Sequence, residues 1–287
     1  MPEGHTIHRL ANRHRRLLRG RTVEASSPQG RFAEGAALID GARLRSTEAW
    51  GKHLFHHYAD PADDSRGASQ LLHVHLGLYG KFQEGRGEPE EPRGALRLRL
   101  VSRDEDDEDD VRWLDLRGPI ACELLTPPER EAVLSRLGPD PLRKDTDPTP
   151  LMTRLGKSRA PLATLLMDQS VVAGIGNVYR AEILFRHGLD PYLPGREADP
   201  FTLMAAWNDL VELMKAGVRS GRIVTTEPEH RERFSGRARR TDAHYVYRRH
   251  GLPCRVCGAE ILLEAHGGRK LYWCPSCQPP GGGRRAV

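Results

Sequence analysis

The strongest constraint on this 287-residue chain lies near its end, where Cys254-x-x-Cys257 is followed, after 16 intervening residues, by Cys274-x-x-Cys277. Thiols in that pattern, in a chain without an apolar leader, read as metal ligands rather than disulfides. Each pair turns two thiolates toward one point, and four thiolates close a tetrahedral Zn²⁺ shell. Such a shell has no open position for a substrate, so the metal is expected to be structural. Between the pairs, AEILLEAHGGRKLYW reads as two short strands around a His-Gly-Gly turn, with Arg269 just past it. A hairpin pinned in this way can carry a basic tip into DNA. It can equally be a ribbon that stabilises a tail or binds protein. The fifth cysteine, Cys122, follows an apolar stretch and is expected to be a buried, inert thiol.

The formal net charge is +5, unevenly distributed. Residues 1–150 carry 23 Lys and Arg against 26 Asp and Glu, whereas residues 151–287 carry 21 against 13. The C-terminal half is therefore the candidate polyanion face, the alternative being a merely solvated basic surface. No apolar run approaches the roughly 18–20 residues that span a bilayer. The start MPEGHTIHRL lacks a signal core, so a cytoplasmic location and no membrane partner are expected.

Residues 6–19, TIHRLANRHRRLLR, form an amphipathic helical pattern with Ile7, Leu10, Leu17 and Leu18 on one face. From residue 21 to about 125, RTVEAS, GARLRSTEAWGKHLFHHY, LLHVHLGLYGKF, ALRLRLVS and VRWLDL alternate between Gly, Pro and charge clusters, which predicts an antiparallel sandwich or barrel. The acidic run from Asp104 to Asp110 reads as a solvated hairpin loop that points away from any DNA face. A Pro-rich boundary, LGPDPLRKDTDPTP, covers 137–150. Beyond it, APLATLLMDQ, NVYRAEILFRHG and DPFTLMAAWNDLVELMKAGVRSG carry helical spacing. Residues 222–243 read as a mobile basic loop, and the Gly/Arg tail 279–287 as disordered.

Two further signals are weaker alone. In DQSVVAGIGNVYR a helix is expected to end near Asp168, with a turn through Gly174 and Gly176 and a new helix capped by Asn177. Backbone N–H groups left open at that positive helix end suit a phosphate, although many helical hairpins use Gly and Asn only to cap. At position 2, Met removal exposes the secondary amine of Pro2. An α-amino group has a pKa of about 8, leaving a useful unprotonated fraction at neutral pH. Such an amine attacking a sugar C1′ yields an iminium that acidifies the C2′ proton, and Glu3 stands beside it as general acid. The plainer reading of Pro2 is Met removal and nothing more.

Taken together, Pro2-Glu3-Gly4, Lys52 in WGKHLFHH, HLGLYG at 75–80, LGPDPL at 137–142, the GIGNVYRAEILF block and the four cysteines resemble the formamidopyrimidine-DNA glycosylase/endonuclease VIII family, collinearly from residue 2 to Gln278. The resemblance implies an α+β multidomain fold: an N-terminal antiparallel β-sandwich with a leading helix (1–135), a helix-two-turn-helix domain (136–243), and a C-terminal zinc-finger β-hairpin and tail (244–287). It implies that Pro2 is the Schiff-base nucleophile, Glu3 the general acid and Lys52 an aid to β-elimination. Arg269 is similar to the zinc-finger arginine that clamps phosphate and assists δ-elimination. Asn177 and Arg136 resemble DNA-backbone contacts. Leu78 and Tyr79 fall where the family places wedge residues, though as apolar residues near a sheet they can also be core. One structural Zn²⁺, damaged double-stranded DNA as partner, and a bacterial, nucleoid-associated monomer complete the expectation.

Three departures stand out. Thr6 occupies a position where many relatives carry a second acidic residue, Gly77 stands where many have a polar wedge side chain, and the acidic 104–110 loop has no counterpart in a DNA-binding role. The PEG start and GLY triplet look more like the endonuclease VIII branch, which implies a bifunctional glycosylase/AP lyase of base excision repair acting on oxidised pyrimidines. The alternatives are the same chemistry on 8-oxoguanine or formamidopyrimidines, with 222–243 as a lesion cover, or a non-catalytic zinc-ribbon DNA-binding protein; an RNA-binding ribbon is a weaker third.

Overall fold

The computed structural model describes residues 2–59, 69–104, 106–107 and 109–281. Residues 282–287 of the Gly/Arg tail, and Glu105 and Glu108 of the acidic run, lie outside the described residues. The chain separates into two compact units, one of residue 2 with 6–135 and the other of 3–5 with 136 onward.

The first unit is the expected sandwich with its leading helix. Helix α1 spans Gly4–Leu18, and its apolar stripe buries Ile7, Ala11 and Leu18, with Leu10 and Leu17 half-covered. One sheet orders β1 (Glu24–Ser26), β6 (Leu96–Ser102), β7 (Arg112–Arg117) and β5 (Lys81–Arg86). The other orders β2 (Arg43–Trp50), β3 (His53–Ala59), β4 (Ser69–His75) and β8 (Ala121–Leu125). All pairings are antiparallel. Alternation places Leu44, Leu54, Tyr58, Leu72 and Val74 of one sheet in one core with Leu98, Leu100, Leu114 and Leu116 of the other. Complete burial of each leucine contributes about 1.5–3 kcal/mol.

Three elements of this unit had no reading in the sequence. Helix α2 (Ala33–Ile39) is short and Gly-interrupted, and β8 is a half-exposed strand beginning two residues after a proline. Helix α3 (Pro127–Leu134) is announced by Thr126-Pro-Pro-Glu129, a capping box in which Glu129 accepts from the Thr126 amide at 2.7 Å. The acidic run does join β6 to β7, and Arg21 and Arg112 hold Asp110 in place. Cys122 lies in β8, where burial pushes its thiol up to about 12, consistent with an inert group.

The second unit holds α4 (Thr149–Lys157), α5 (Leu162–Leu165), α6 (Asn177–Arg186) and α7 (Pro200–Ser220), followed by the hairpin β9 (Leu262–His266) and β10 (Arg269–Trp273). Helix α7 runs as its periodicity predicts, from an Asp199 cap that accepts the Thr202 amide to Gly221 in the left-handed conformation. APLATLLMDQ forms only the four residues of α5, so the helix ends before Asp168, and the Pro-rich boundary conceals the start of α4. The hairpin register pairs His266 with Arg269 around Gly267 (φ 56°) and Gly268 (φ 70°). Two successive positive φ angles are what a two-residue turn of this twist requires, and only glycine adopts them without strain. Leu271 of β10 joins the helical core with Leu184, Trp207 and Met214.

The loop 222–243 differs from its expectation. Its ends are anchored: Thr225 and Thr226 are buried, the Thr225 amide donates to Ala243 O at 2.9 Å, and Thr226 Oγ1 donates to Asp242 O at 2.6 Å. The carboxylate of Glu182, fully buried in α6, accepts from the amides of Tyr245, Val246 and Tyr247. The charged stretch between these anchors hides their partners, which is why composition alone suggested a segment without fixed structure. No helix among the described residues is long and apolar enough to cross a membrane.

Candidate active site and metal centre

The most informative group is Glu3. Its side chain is fully buried within the second unit, and its two oxygens accept from the amides of Gly176 (3.0 Å), Val178 (2.8 Å) and Tyr179 (3.4 Å). These are the first amides of α6, whose N-terminal cap is Gly176. Three donors and the positive end of a helix form a seat for an ionised carboxylate. This corrects two expectations. Asn177 is the first residue inside the helix, not its cap, and three of the N–H groups expected to serve a phosphate, those of Gly176, Val178 and Tyr179, are taken by Glu3.

The glycines around this seat are set by space. A Cβ on Gly176 would lie 2.5 Å from Glu3 Cδ, and one on Gly4 would lie 2.9 Å from Gly174 Cα. The Gly4 amide donates to Gly174 O at 2.8 Å, fixing the backbone that carries Glu3. Pro2 immediately precedes, half-buried. Burial drives the phenol of Tyr179 well above its ordinary range, and the nearby Glu3 charge adds to this.

Asn177 is buried, and its Nδ2 donates to Lys270 O at 2.8 Å while its Oδ1 accepts from Arg180. Arg180, also buried, donates to Ala163 O and Lys270 O. Burial lowers its guanidinium to about 10, with Arg269 adding to the fall and Glu3 opposing it. Asn177 and Arg180 thus fix the strand on which exposed Arg269 stands. Arg180 had no reading in the sequence; its only signal was its position three residues after Asn177, on the same helix face.

In the first unit, Lys52 lies half-buried in the turn joining β2 and β3. Burial, with His73 and Lys52 in support, brings His75 down to about 4, so its ring is neutral at pH 7. The neutral Nδ1 accepts the Gly77 amide at 3.1 Å, holding the start of the loop between β4 and β5. Leu78 and Tyr79 on that loop are 41% and 87% exposed, which decides against their being core. Gly77, the departure noted in the sequence, has φ 65°, and a Cβ there would lie 2.5 Å from Ile120 Cγ2. A polar wedge side chain at this position would be strained by the positive φ and would have to displace the exposed Ile120 side chain. Arg136 is exposed just beyond α3.

The four cysteines converge as their spacing requires. Their sulfurs lie within 4.8 Å of one another, with Cys254 to Cys277 at 3.8 Å and Cys257 to Cys274 at 3.4 Å. A tetrahedron with Zn–S bonds of about 2.3 Å has edges of roughly 3.8 Å, so the donor set and its spacing fit zinc. Amides of Val256 and Cys277 donate to Cys254 Sγ and Cys274 Sγ at 3.5 Å, supporting the thiolate charge.

Comparison with known proteins finds matches over nearly the whole chain. Residues 1–122 match the formamidopyrimidine-DNA glycosylase N-terminal domain, 137–228 its H2TH domain, and 251–280 the zinc finger found in FPG and IleRS. Endonuclease 8 1 of Mycobacterium tuberculosis is 49% identical over 282 residues, covering 97% of this chain and 100% of the relative. Among solved structures, the MutM (Fpg) protein of Thermus thermophilus superposes with a TM-score of 0.71 at 27% identity, covering 96% of this chain and 98% of that one. The Lactococcus lactis Fpg in complex with abasic-site DNA reaches 0.76 at 18% identity over 96% and 99% of the two chains, a likeness of fold. This chain, with its β-sandwich, H2TH helices and four-cysteine metal-binding finger, belongs to the formamidopyrimidine-DNA glycosylase/endonuclease VIII family of DNA-repair glycosylases with AP lyase activity.

Proposed function

We propose that the protein excises oxidised pyrimidines from duplex DNA and cleaves the resulting abasic strand, with the amine of Pro2 as nucleophile. The observation that carries this reading is the Glu3 carboxylate, seated on three amides of the second unit and covalently adjacent to Pro2.

The target bond lies within the base stack, so the nucleotide is flipped out and Leu78 and Tyr79 fill the gap. The Pro2 nitrogen then bonds to C1′ as the bond to the base breaks, and the base leaves with that electron pair and takes a proton from water. Glu3 carries the proton released by that nitrogen to the ring oxygen, and the sugar opens to an iminium. Loss of the C2′ proton expels the 3′ phosphate, aided by Lys52. Loss of the C4′ proton then expels the 5′ phosphate, with Arg269 on the departing phosphate, leaving a one-nucleotide gap. Asn177, with one amide hydrogen given to Lys270 O, offers the other to a phosphate, and Arg136 contacts the backbone further along.

One Zn²⁺ held by Cys254, Cys257, Cys274 and Cys277 is structural, since four thiolates leave no open position. The protein acts as a monomer, with 1–135 as the catalytic sandwich, 136–243 as the helix-two-turn-helix domain and 244–287 as the finger and tail. Identity of 49% with a protein named Endonuclease 8 1 favours oxidised pyrimidines, and the anchored 222–243 loop keeps 8-oxoguanine and formamidopyrimidines as the second reading. An excision panel of thymine glycol, dihydrouracil, 5-hydroxycytosine, 8-oxoguanine and formamidopyrimidine duplexes, run with wild type and Pro2→Gly, tests both. Oxidised pyrimidines are expected to be released fastest, and Pro2→Gly to be severely impaired. Equal excision by Pro2→Gly overturns the nucleophile, and faster release of 8-oxoguanine overturns the substrate class.

A further inference from the structure

Among the described residues, every positive φ belongs to glycine except that of Arg248, at 58°. An L side chain in that region crowds its own backbone, and such strain persists only where the surrounding structure imposes it. The local geometry shows why the backbone adopts it. Glu182 draws in the amides of Tyr245, Val246 and Tyr247 at 2.7, 2.9 and 2.7 Å, and the Arg249 amide then donates to Val246 O at 3.0 Å. Residues 246–249 therefore form a tight turn whose third residue is Arg248, and a positive φ at that position normally selects glycine. The sequence places an arginine where the turn asks for glycine.

The side chain has no stabilising role that accounts for this. Arg248 is exposed, and its guanidinium carbon lies 5.5 Å from the centre of the Tyr247 ring. Among the described residues no carboxylate forms an ion pair with it. Two positive groups lie near it: Arg222 acts with it on His244, where Glu182 opposes both, and Arg249 is next in the chain. The nearby carboxylates are consumed, Glu182 by backbone amides and Asp242 by Arg255 at 3.3 Å. An exposed guanidinium, steadied by an aromatic face and without a carboxylate partner among the described residues, is a site for an anion.

We propose that Arg248 is a contact for a DNA backbone phosphate, displayed by the Glu182-organised turn next to the zinc finger. The proposal rests on the DNA-binding reading above and adds a residue to it. Neutralising one phosphate contributes about 0.9 to the slope of log K against log salt concentration. Extrapolated to 1 M, that slope corresponds to about eightfold in affinity at 0.1 M salt.

The test is fluorescence anisotropy of the full-length protein on a duplex carrying a tetrahydrofuran abasic analogue, from 50 to 300 mM KCl. Three proteins are compared: wild type, Arg248→Gly, which removes both charge and strain, and Arg248→Gln, which removes charge alone. Both variants are expected to flatten the slope by about 0.9 and to weaken binding about eightfold at 0.1 M salt. Arg248→Gly is expected to unfold at a temperature no lower than wild type. Wild-type binding with unchanged slopes in both variants overturns the proposal, as does a slope change confined to Arg248→Gly, which would point to the altered backbone rather than the lost charge. Failure of the wild type itself to bind overturns the DNA reading, and the role of Arg248 falls with it.

Discussion

Replacing Gly176 by alanine adds one methyl group at the point where the fold has least room. The new Cβ would lie 2.5 Å from Glu3 Cδ and 2.6 Å from Glu3 Oε1, against an ordinary contact of 3.4–4 Å. Relief requires about 1 Å of movement, and Glu3, fully buried, has no solvent-facing rotamer to adopt. The hydrogen bonds from Gly176 and Val178, at 3.0 and 2.8 Å, bear the displacement. Bonds to a charged acceptor contribute about 1.5–3 kcal/mol each, and partial relaxation keeps the total near the ~1–3 kcal/mol usual for overpacking. For a unit of this size that is a fall of roughly 2–12 °C in its unfolding transition. The chemical effect is larger, because a misplacement of about 1 Å beside a reacting group costs about 100-fold in rate. Single-turnover excision with saturating enzyme, run alongside thermal unfolding, measures both. Wild-type rate and wild-type stability together would show that Glu3 does not occupy this seat.

Other outcomes follow from the same geometry. Burial, with His57 in support, holds His56 down to about 3, so it stays neutral in the folded sandwich while the unfolded chain binds a proton below about 6.5. Unfolded chains then carry more protons, and stability falls as pH drops from about 6.5 toward 3; the share due to His56 reaches about 2 kcal/mol by pH 5. Denaturant unfolding across that range, repeated with His56→Gln, is expected to show a shallower pH dependence in the variant. Tyr79→Ala removes an exposed ring, so the melting temperature should stay within about 1–2 °C while excision from duplex drops at least tenfold; a large loss of stability would instead return Tyr79 to the core. Stripping the metal with a thiol reagent is expected to release one zinc per chain by colorimetric titration and abolish DNA binding, and retention of binding by the metal-free protein would contradict the role given to the hairpin.

The sequence made some of this architecture readable and concealed the rest for identifiable reasons. Period-2 alternation exposed β2, β3, β6 and β7, since each buries one face, and the Cys-x-x-Cys pairs located the metal centre because tetrahedral coordination imposes local spacing. Helix α2 and strand β8 escaped because a short, partly exposed element carries too few apolar residues to set a period. The seat of Glu3 was invisible for another reason: its donors are backbone amides more than 170 positions away, and backbone has no sequence signature. The same holds for Glu182, whose buried carboxylate organises 245–247 through main-chain hydrogen bonds. Gly176 was legible as a turn residue, but its reason, room for a carboxylate, emerged only with the fold.

The central claim concerns the nitrogen of Pro2, and borohydride reduction tests it directly. Wild-type protein mixed with an abasic-site duplex and reduced should give a covalent complex whose digest, read by tandem mass spectrometry, carries the sugar remnant on the N-terminal proline of a chain lacking Met1. Attachment to a lysine such as Lys52, or no complex from protein that cleaves the duplex, would contradict the account.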